Sequence, residues 1–179
     1  GSLSLMSFFY SLKEMGHWVD KRESNLLDGF AHFYDTYECS DNKFLAVGSI
    51  EPQFYSELLD KLGIEEDKFK DQHNKDLWPE LKNIMSSKIK SKSRSEWIEI
   101  FKDSDACVSP VLSMEEAKKH PHNIEREAFI NIDGFNQPNA SPRYSVTKQE
   151  IKHNAKQVGA DLDDICKEFN LSIDALKKT

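Results

Sequence analysis

Apolar residues near the start of the chain recur at helical spacing. Leu5, Phe8, Phe9, Leu12 and Met15 predict one amphipathic helix over residues 3–15. The polar stretch 20–24 reads as a connection. Residues 33–39 and 43–48 are then rich in aromatic and β-branched side chains and flank Ser40, Asp41 and Asn42. Asparagine tolerates the left-handed backbone that a three-residue loop needs, so a β-hairpin is predicted. Pro52 suits the first position of the next helix, whose stripe is Phe54, Leu58 and Leu62 and whose stop is Gly63. A polar, loop-rich section runs to Asp76. Trp78, Leu81, Ile84 and Met85 mark another helix; Ser93 with Glu96 forms a capping box ahead of Trp97, Ile100 and Phe101. Residues 106–112 predict a short strand that Pro110 confines to an edge or an end. Ser113 with Glu116 caps a short helix ending before Pro121, and 128–132 predict a strand. The Gly-, Pro- and Asn-rich residues 133–142 read as a linker. Leu162, Ile165 and Phe169 outline a helix, and Ser172 caps a last one. The pattern is that of an α+β module with helical extensions.

Composition narrows the function classes. At 179 residues the chain is about one domain long. Its 38% hydrophobic and 31% charged residues exclude collagen-like and largely disordered classes. A formal charge of −7 argues against a general nucleic-acid binder. No apolar run approaches the roughly 20 residues of a membrane span. Cys39, Cys107 and Cys166 are odd in number and far apart, without CxxC spacing, and read as free thiols of an intracellular protein. Gly1 and Ser2 read as a cloning remnant. The uncapped helix behind them reads as a piece of a longer polypeptide rather than a secretory leader.

Motifs that carry chemistry are sparse. His120 and His122 are the most metal-like pair, but without a third ligand they read as a solvated loop, and no metal is expected. There is no nucleophile elbow and no Gly-rich phosphate loop. The basic run through Lys88, Lys90, Lys92 and Arg94 reads as a solvated helix end. Glu51 is more informative. It stands directly after a strand and opens a helix, where backbone N–H groups favour a negative charge and Pro52 stiffens the chain. Such a carboxylate can orient a histidine or balance an imidazolium; an ordinary first-turn acid fits the same position.

Several segments resemble the family III CoA-transferase fold (CaiB/BaiF-like). They are NLLDG at 25–29, FYDTYE at 33–38, AVGSIEPQFY at 46–55, DACVSPVL at 105–112 and HPHNIER at 120–126. The IEPQF run is similar to the branch that racemises α-methylacyl-CoA thioesters. The resemblance implies the C-terminal half of such an enzyme. Residues 1–24 would be the remnant and connecting helix, 25–132 the small α+β domain, and 133–179 a linker and helices returning toward a Rossmann-like large domain. It further implies an interlocked homodimer, a branched-chain acyl-CoA substrate, and no cofactor, since CoA enters as the substrate thioester. Nucleic-acid and membrane partners are not expected.

On this resemblance the catalytic His and Asp belong to the large domain, upstream of Gly1, and the isolated 179 residues are expected to be inactive. Glu51 falls where the family pairs a carboxylate with that His; Leu27, Tyr34 and Ile50 fall where it lines the acyl pocket. Racemisation needs acid/base groups on both faces of the α-carbon, and a fixed carboxylate would hold the His tautomer and its protonated form. Family III CoA-transferase chemistry and a non-catalytic dimerisation module are the alternatives. Phe30 replaces a second glycine and is expected to reshape the acyl pocket; His32 replaces a proline and Leu162 a hydroxyl residue. The family implies a peroxisomal or mitochondrial location, although Lys177, Lys178 and Thr179 do not form the SKL-type address.

Overall fold

The computed structural model describes residues 1–173, and its architecture is α+β, with small antiparallel sheets and flanking helices. The chain divides into two compact units, Gly1–Val111 and Leu112–Thr179. The first contains α1 (Ser2–Leu5), α2 (Ser7–Glu14), β1 (Tyr34–Glu38), β2 (Phe44–Gly48) and α3 (Pro52–Leu62). A 310 turn (Asp67–Lys70), α4 (Trp78–Ile89), α5 (Arg94–Phe101) and β3 (Val108–Pro110) complete it. The second contains α6 (Met114–Lys119), α7 (Pro121–Glu125), β4 (Phe129–Ile132), β5 (Phe135–Pro138) and α8 (Leu162–Glu168).

In the first unit the strands lie in the order β1-β2-β3, antiparallel throughout. The Cys39 N–H donates to the Lys43 carbonyl at 2.7 Å, leaving a loop of Ser40, Asp41 and Asn42, with Asn42 left-handed at φ 58°. Side chains alternate across the sheet. Tyr37, Leu45 and Val47 point into the core, while Thr36, Ala46 and Gly48 lie on the opposite face. Helices α3, α4 and α5 bring Leu58, Leu62, Trp78, Leu81, Met85 and Trp97 against the inner face. Each such fully buried side chain stabilises the fold by roughly 1.5–3 kcal/mol. Both capping boxes form: Ser93 with Glu96 and Ser113 with Glu116.

Several elements differ from expectation. The first helix breaks at Met6, neither piece has a side-chain cap, and Leu5, Phe8 and Met15 are exposed while Phe9 packs edge-on against Trp18. In α3, Tyr55 rather than Phe54 joins the buried stripe, because its hydroxyl meets buried His32. The polar section before α4 folds into a 310 turn that buries Phe69 and leads to buried Gln72. The predicted strand over 106–112 shortens to Val108–Pro110, since Cys107 adopts φ 53° and Pro110 has no N–H to donate.

In the second unit the segment read as a linker is partly a hairpin. Asp133 and Gly134 both have positive φ, and β5 pairs with β4 from Phe129↔Pro138 to Ile132↔Phe135. His122 lies within α7, which Pro121 starts, and not in a loop. In α8 it is Cys166 that turns inward, while Ile165 and Phe169 are exposed. The last helix predicted after Ser172 falls mainly on 174–179, outside the described residues. Among the described residues no helix is long and apolar enough to cross a membrane.

Candidate functional site

Glu51 occupies the junction between β2 and α3. It is the N-cap of α3, with φ −73° and ψ 141°, and Pro52 follows at the first helical position. A residue before proline is confined to extended backbone, so this geometry is built into the sequence. The Glu51 carbonyl accepts the first helical bond, from the Tyr55 N–H at 2.9 Å. Its carboxylate makes no capping bond and is exposed. It is therefore available to a partner at the positive end of the helix dipole.

The segment leading to Glu51 is pinned from several directions. The Gly48 N–H donates to the Cys107 carbonyl at 3.0 Å, and the Ser49 N–H to the Phe33 carbonyl at 3.0 Å. The Ser49 hydroxyl donates to the Ala106 carbonyl at 2.5 Å. The Gln72 side-chain amide donates to the carbonyls of Ser49 and Ile50, at 3.0 and 2.9 Å. Ser49 is fully buried, so bonds of this kind are needed to offset its desolvation.

Beside this corner lies a groove of about 440 Å³. Its floor is the outer face of the three-stranded sheet, where the central strand presents the small residues Ala46 and Gly48. Tyr34 and Thr36 rise on one side, Cys107 and Ser109 on the other, and Leu27 closes one flank. A Cβ added at Gly48 would meet the Tyr34 ring at 3.7 Å and the Cys107 carbonyl at 3.9 Å, so the glycine keeps the floor low.

Two carboxylates in the groove wall are held by the fold. Burial alone would raise the Asp28 carboxyl, but hydrogen bonds from the Asn25 side chain and from the N–H groups of Asn25, Ser24 and Phe30 outweigh it and hold it low. Asp35 pairs with Lys82 at 2.5 Å, and its Oδ1 accepts from the Thr36 N–H. Cys107 stays a thiol at neutral pH: partial desolvation pushes it up, and the carboxylates of Glu51, Asp105 and Glu57 add to that shift. All three cysteines are free. Among the described residues no group of three or more His, Cys, Asp or Glu side chains is placed to hold a metal.

Of the residues singled out in the sequence, Leu27 and Tyr34 line the groove together. Ile50 is half-buried and packs against the core next to the pinned corner; Glu51 follows it. Phe30 does not line the groove. It turns inward against Trp78, with the ring centroids 5.3 Å apart. His32 is fully buried, with Nε2 2.7 Å from the Tyr55 hydroxyl. Ser49 and Gln72 were not foreseen. The pattern offered no signal for Gln72, a lone amide in a polar stretch.

The arrangement sets the exposed Glu51 carboxylate, on a restrained backbone at a helix start, next to a shallow trough that Leu27 and Tyr34 line. The profile of CoA-transferase family III matches residues 1–162. The chain is 40% identical over 175 residues to the alpha-methylacyl-CoA racemase of Mus musculus, covering 96% of this chain and 46% of that protein. It is 42% identical over 143 residues to the alpha-methylacyl-CoA racemase of Homo sapiens, covering 80% of this chain and 37% of that one. The chain thus spans less than half the length of these relatives. The solved CAIB/BAIF family protein from Brucella suis superposes with a TM-score of 0.58 at 16% identity, over 75% of this chain and 37% of that one, and shows the same fold. The α+β architecture, the matched profile and the two racemases agree: the chain belongs to CoA-transferase family III.

Proposed function

We propose that this chain is part of an α-methylacyl-CoA racemase, an isomerase that interconverts R and S 2-methylacyl-CoA thioesters. The observation that carries the reading is the exposed Glu51 carboxylate, set on a restrained backbone at a helix start beside a groove flanked by Leu27 and Tyr34. The names of its relatives point the same way. Racemisation removes the proton α to the thioester carbonyl, passes through an enolate-like intermediate, and returns a proton to the opposite face. That demands two acid/base groups. Glu51 is one positioning carboxylate: it would accept from an imidazole N–H, fix the tautomer and stabilise the imidazolium formed on proton removal. The imidazole and a second acid/base group would come from parts of the enzyme beyond these residues, in an interlocked homodimer. A branched acyl chain would lie against Leu27, Tyr34 and Ile50. No cofactor is required, since the thioester itself acidifies the α-proton.

The test is α-proton exchange in D2O with a 2-methylacyl-CoA, using the whole natural chain to which these residues belong. Glu51→Gln is expected to slow exchange by roughly 10²-fold. Because the side chain is exposed, the melting temperature should stay put. Wild-type exchange rates in Glu51→Gln would refute the assigned role. Transfer of CoA from the thioester to a free carboxylic acid, without α-exchange, would favour CoA-transferase chemistry instead.

A further inference from the structure

We propose that Gln72 is a positioning residue for Glu51, acting through the backbone of the corner; this rests on the role of Glu51 given above. Gln72 is buried within a stretch whose neighbours are mostly exposed. Its side-chain amide bridges two successive carbonyls, those of Ser49 and Ile50. The Ile50 carbonyl belongs to the peptide plane that runs through the Glu51 nitrogen to the Glu51 Cα. Holding that plane fixes the Glu51 N–Cα bond, because the peptide unit is rigid, and leaves only the Glu51 φ to set the direction of its Cα–Cβ bond. On the other side Pro52 restricts the Glu51 backbone. The exposed carboxylate makes no bond to the helix that it caps, so what the fold fixes is the point and direction from which the Glu51 side chain departs, and a partner group must settle its remaining torsions.

Gln72 is itself anchored in the core. Its backbone carbonyl accepts from the Trp78 indole N–H at 2.8 Å, and Trp78 packs against Phe33 and Phe30 at 5.6 and 5.3 Å. Core packing is thereby transmitted through one side-chain amide to the residue before Glu51. A carboxylate displaced by even part of an ångström meets its partner poorly, which is expensive in turnover and cheap in substrate binding.

The experiment is a double-mutant cycle with Gln72→Met, which keeps the length of the side chain and removes its donors, combined with Glu51→Gln in the whole natural chain. Gln72→Met should lower kcat for α-exchange by about tenfold or more, with KM changed by less than about twofold. In the Glu51→Gln background the same change should lower kcat by less than about twofold. An equal loss in both backgrounds would show a merely structural role and overturn the proposal. Gln72→Asn, which keeps a donor but withdraws it by one methylene, should give the same pattern if the methionine variant folds poorly.

A second arm is independent of activity. By backbone 15N relaxation of the 179-residue chain, Gln72→Met should lower the Glu51 order parameter from about 0.85 toward 0.6. The Trp97 indole signal, reporting the core, should not move. An unchanged Glu51 order parameter would overturn the proposal. If Glu51→Gln turns over normally, the racemase role of Glu51 falls, and this arm still decides the role of Gln72.

Discussion

Acid should reach this fold through His32. The side chain is fully buried, its Nε2 meets the Tyr55 hydroxyl at 2.7 Å, and its Nδ1 is buried with no hydrogen-bond partner. Aromatic rings of Phe33, Tyr55 and Phe69 surround it at 5.1, 5.5 and 5.6 Å. Burial lowers its pKa from 6.5 to about 4, and nearby His73 adds to the shift. In the unfolded chain the imidazole binds a proton below about pH 6.5; in the folded chain it does not until about pH 4. Between those values the unfolded state holds more protons, so stability falls as pH falls. The loss grows to about 2.5 kcal/mol by pH 4.5, reaches about 3 kcal/mol at pH 4 and levels off at about 3.4 kcal/mol in stronger acid. That is a large share of the ~5–15 kcal/mol that holds an ordinary domain together. Urea unfolding followed by tryptophan fluorescence, from pH 7.5 to 4.5, measures it, since Trp78 and Trp97 sit in the same core. Carboxylates also titrate there, so the comparison is with His32→Gln. The stability gap between wild type and variant should shift by about 2–3 kcal/mol against wild type on acidification. Parallel pH curves, or an NMR titration placing His32 above pH 6, would refute the reasoning.

Two further outcomes follow from local geometry. Gly29 has φ +89° and its Cβ would lie 3.2 Å from Asp35 Oδ1, so Gly29→Ala should cost at least about 1–2 kcal/mol and disturb the Asp35–Lys82 pair. Equal melting temperatures for wild type and Gly29→Ala would show that the position does not need glycine. Ser93→Ala removes a reciprocal capping box and should cost about 1 kcal/mol by denaturant unfolding, whereas loss of less than about 0.3 kcal/mol would mean that α5 is held by Trp97 and Phe101 alone.

What the sequence made legible was local chemistry. Asn42 announced its hairpin because asparagine tolerates the left-handed backbone, and Ser93 and Ser113 announced their helices through glutamates three residues on. Asp133–Gly134 carried an equally strong signal between two short runs, yet the surrounding Pro and Asn content masked it. Tyr55 displaced Phe54 from the buried face because a hydroxyl could reach His32, a preference that spacing alone does not encode. The start of α3 made Glu51 visible, but what holds it came from elsewhere. The Ser49 and Gln72 bonds depend on chain segments that meet only in three dimensions, and no periodicity marks them. The groove, too, is a cross-strand product: Ala46 and Gly48 form a trough only because β1 and β3 flank them.

The reach of those bonds bears on the order in which the molecule is made. Ser49 binds a carbonyl 57 residues further along, and Gln72 reaches back 23 residues. Contacts that close long loops are slow to form, and their entropy must be met before they contribute. The β1–β2 hairpin and the start of α3 can exist early in a growing chain, with Glu51 already at its helix terminus. The backbone before it is fully pinned only when the segment leading into β3 has docked and Ala106 accepts the Ser49 hydroxyl. The corner around Glu51 is thus expected to be among the last parts of the unit to reach its final geometry, although every residue that builds it is already in the chain.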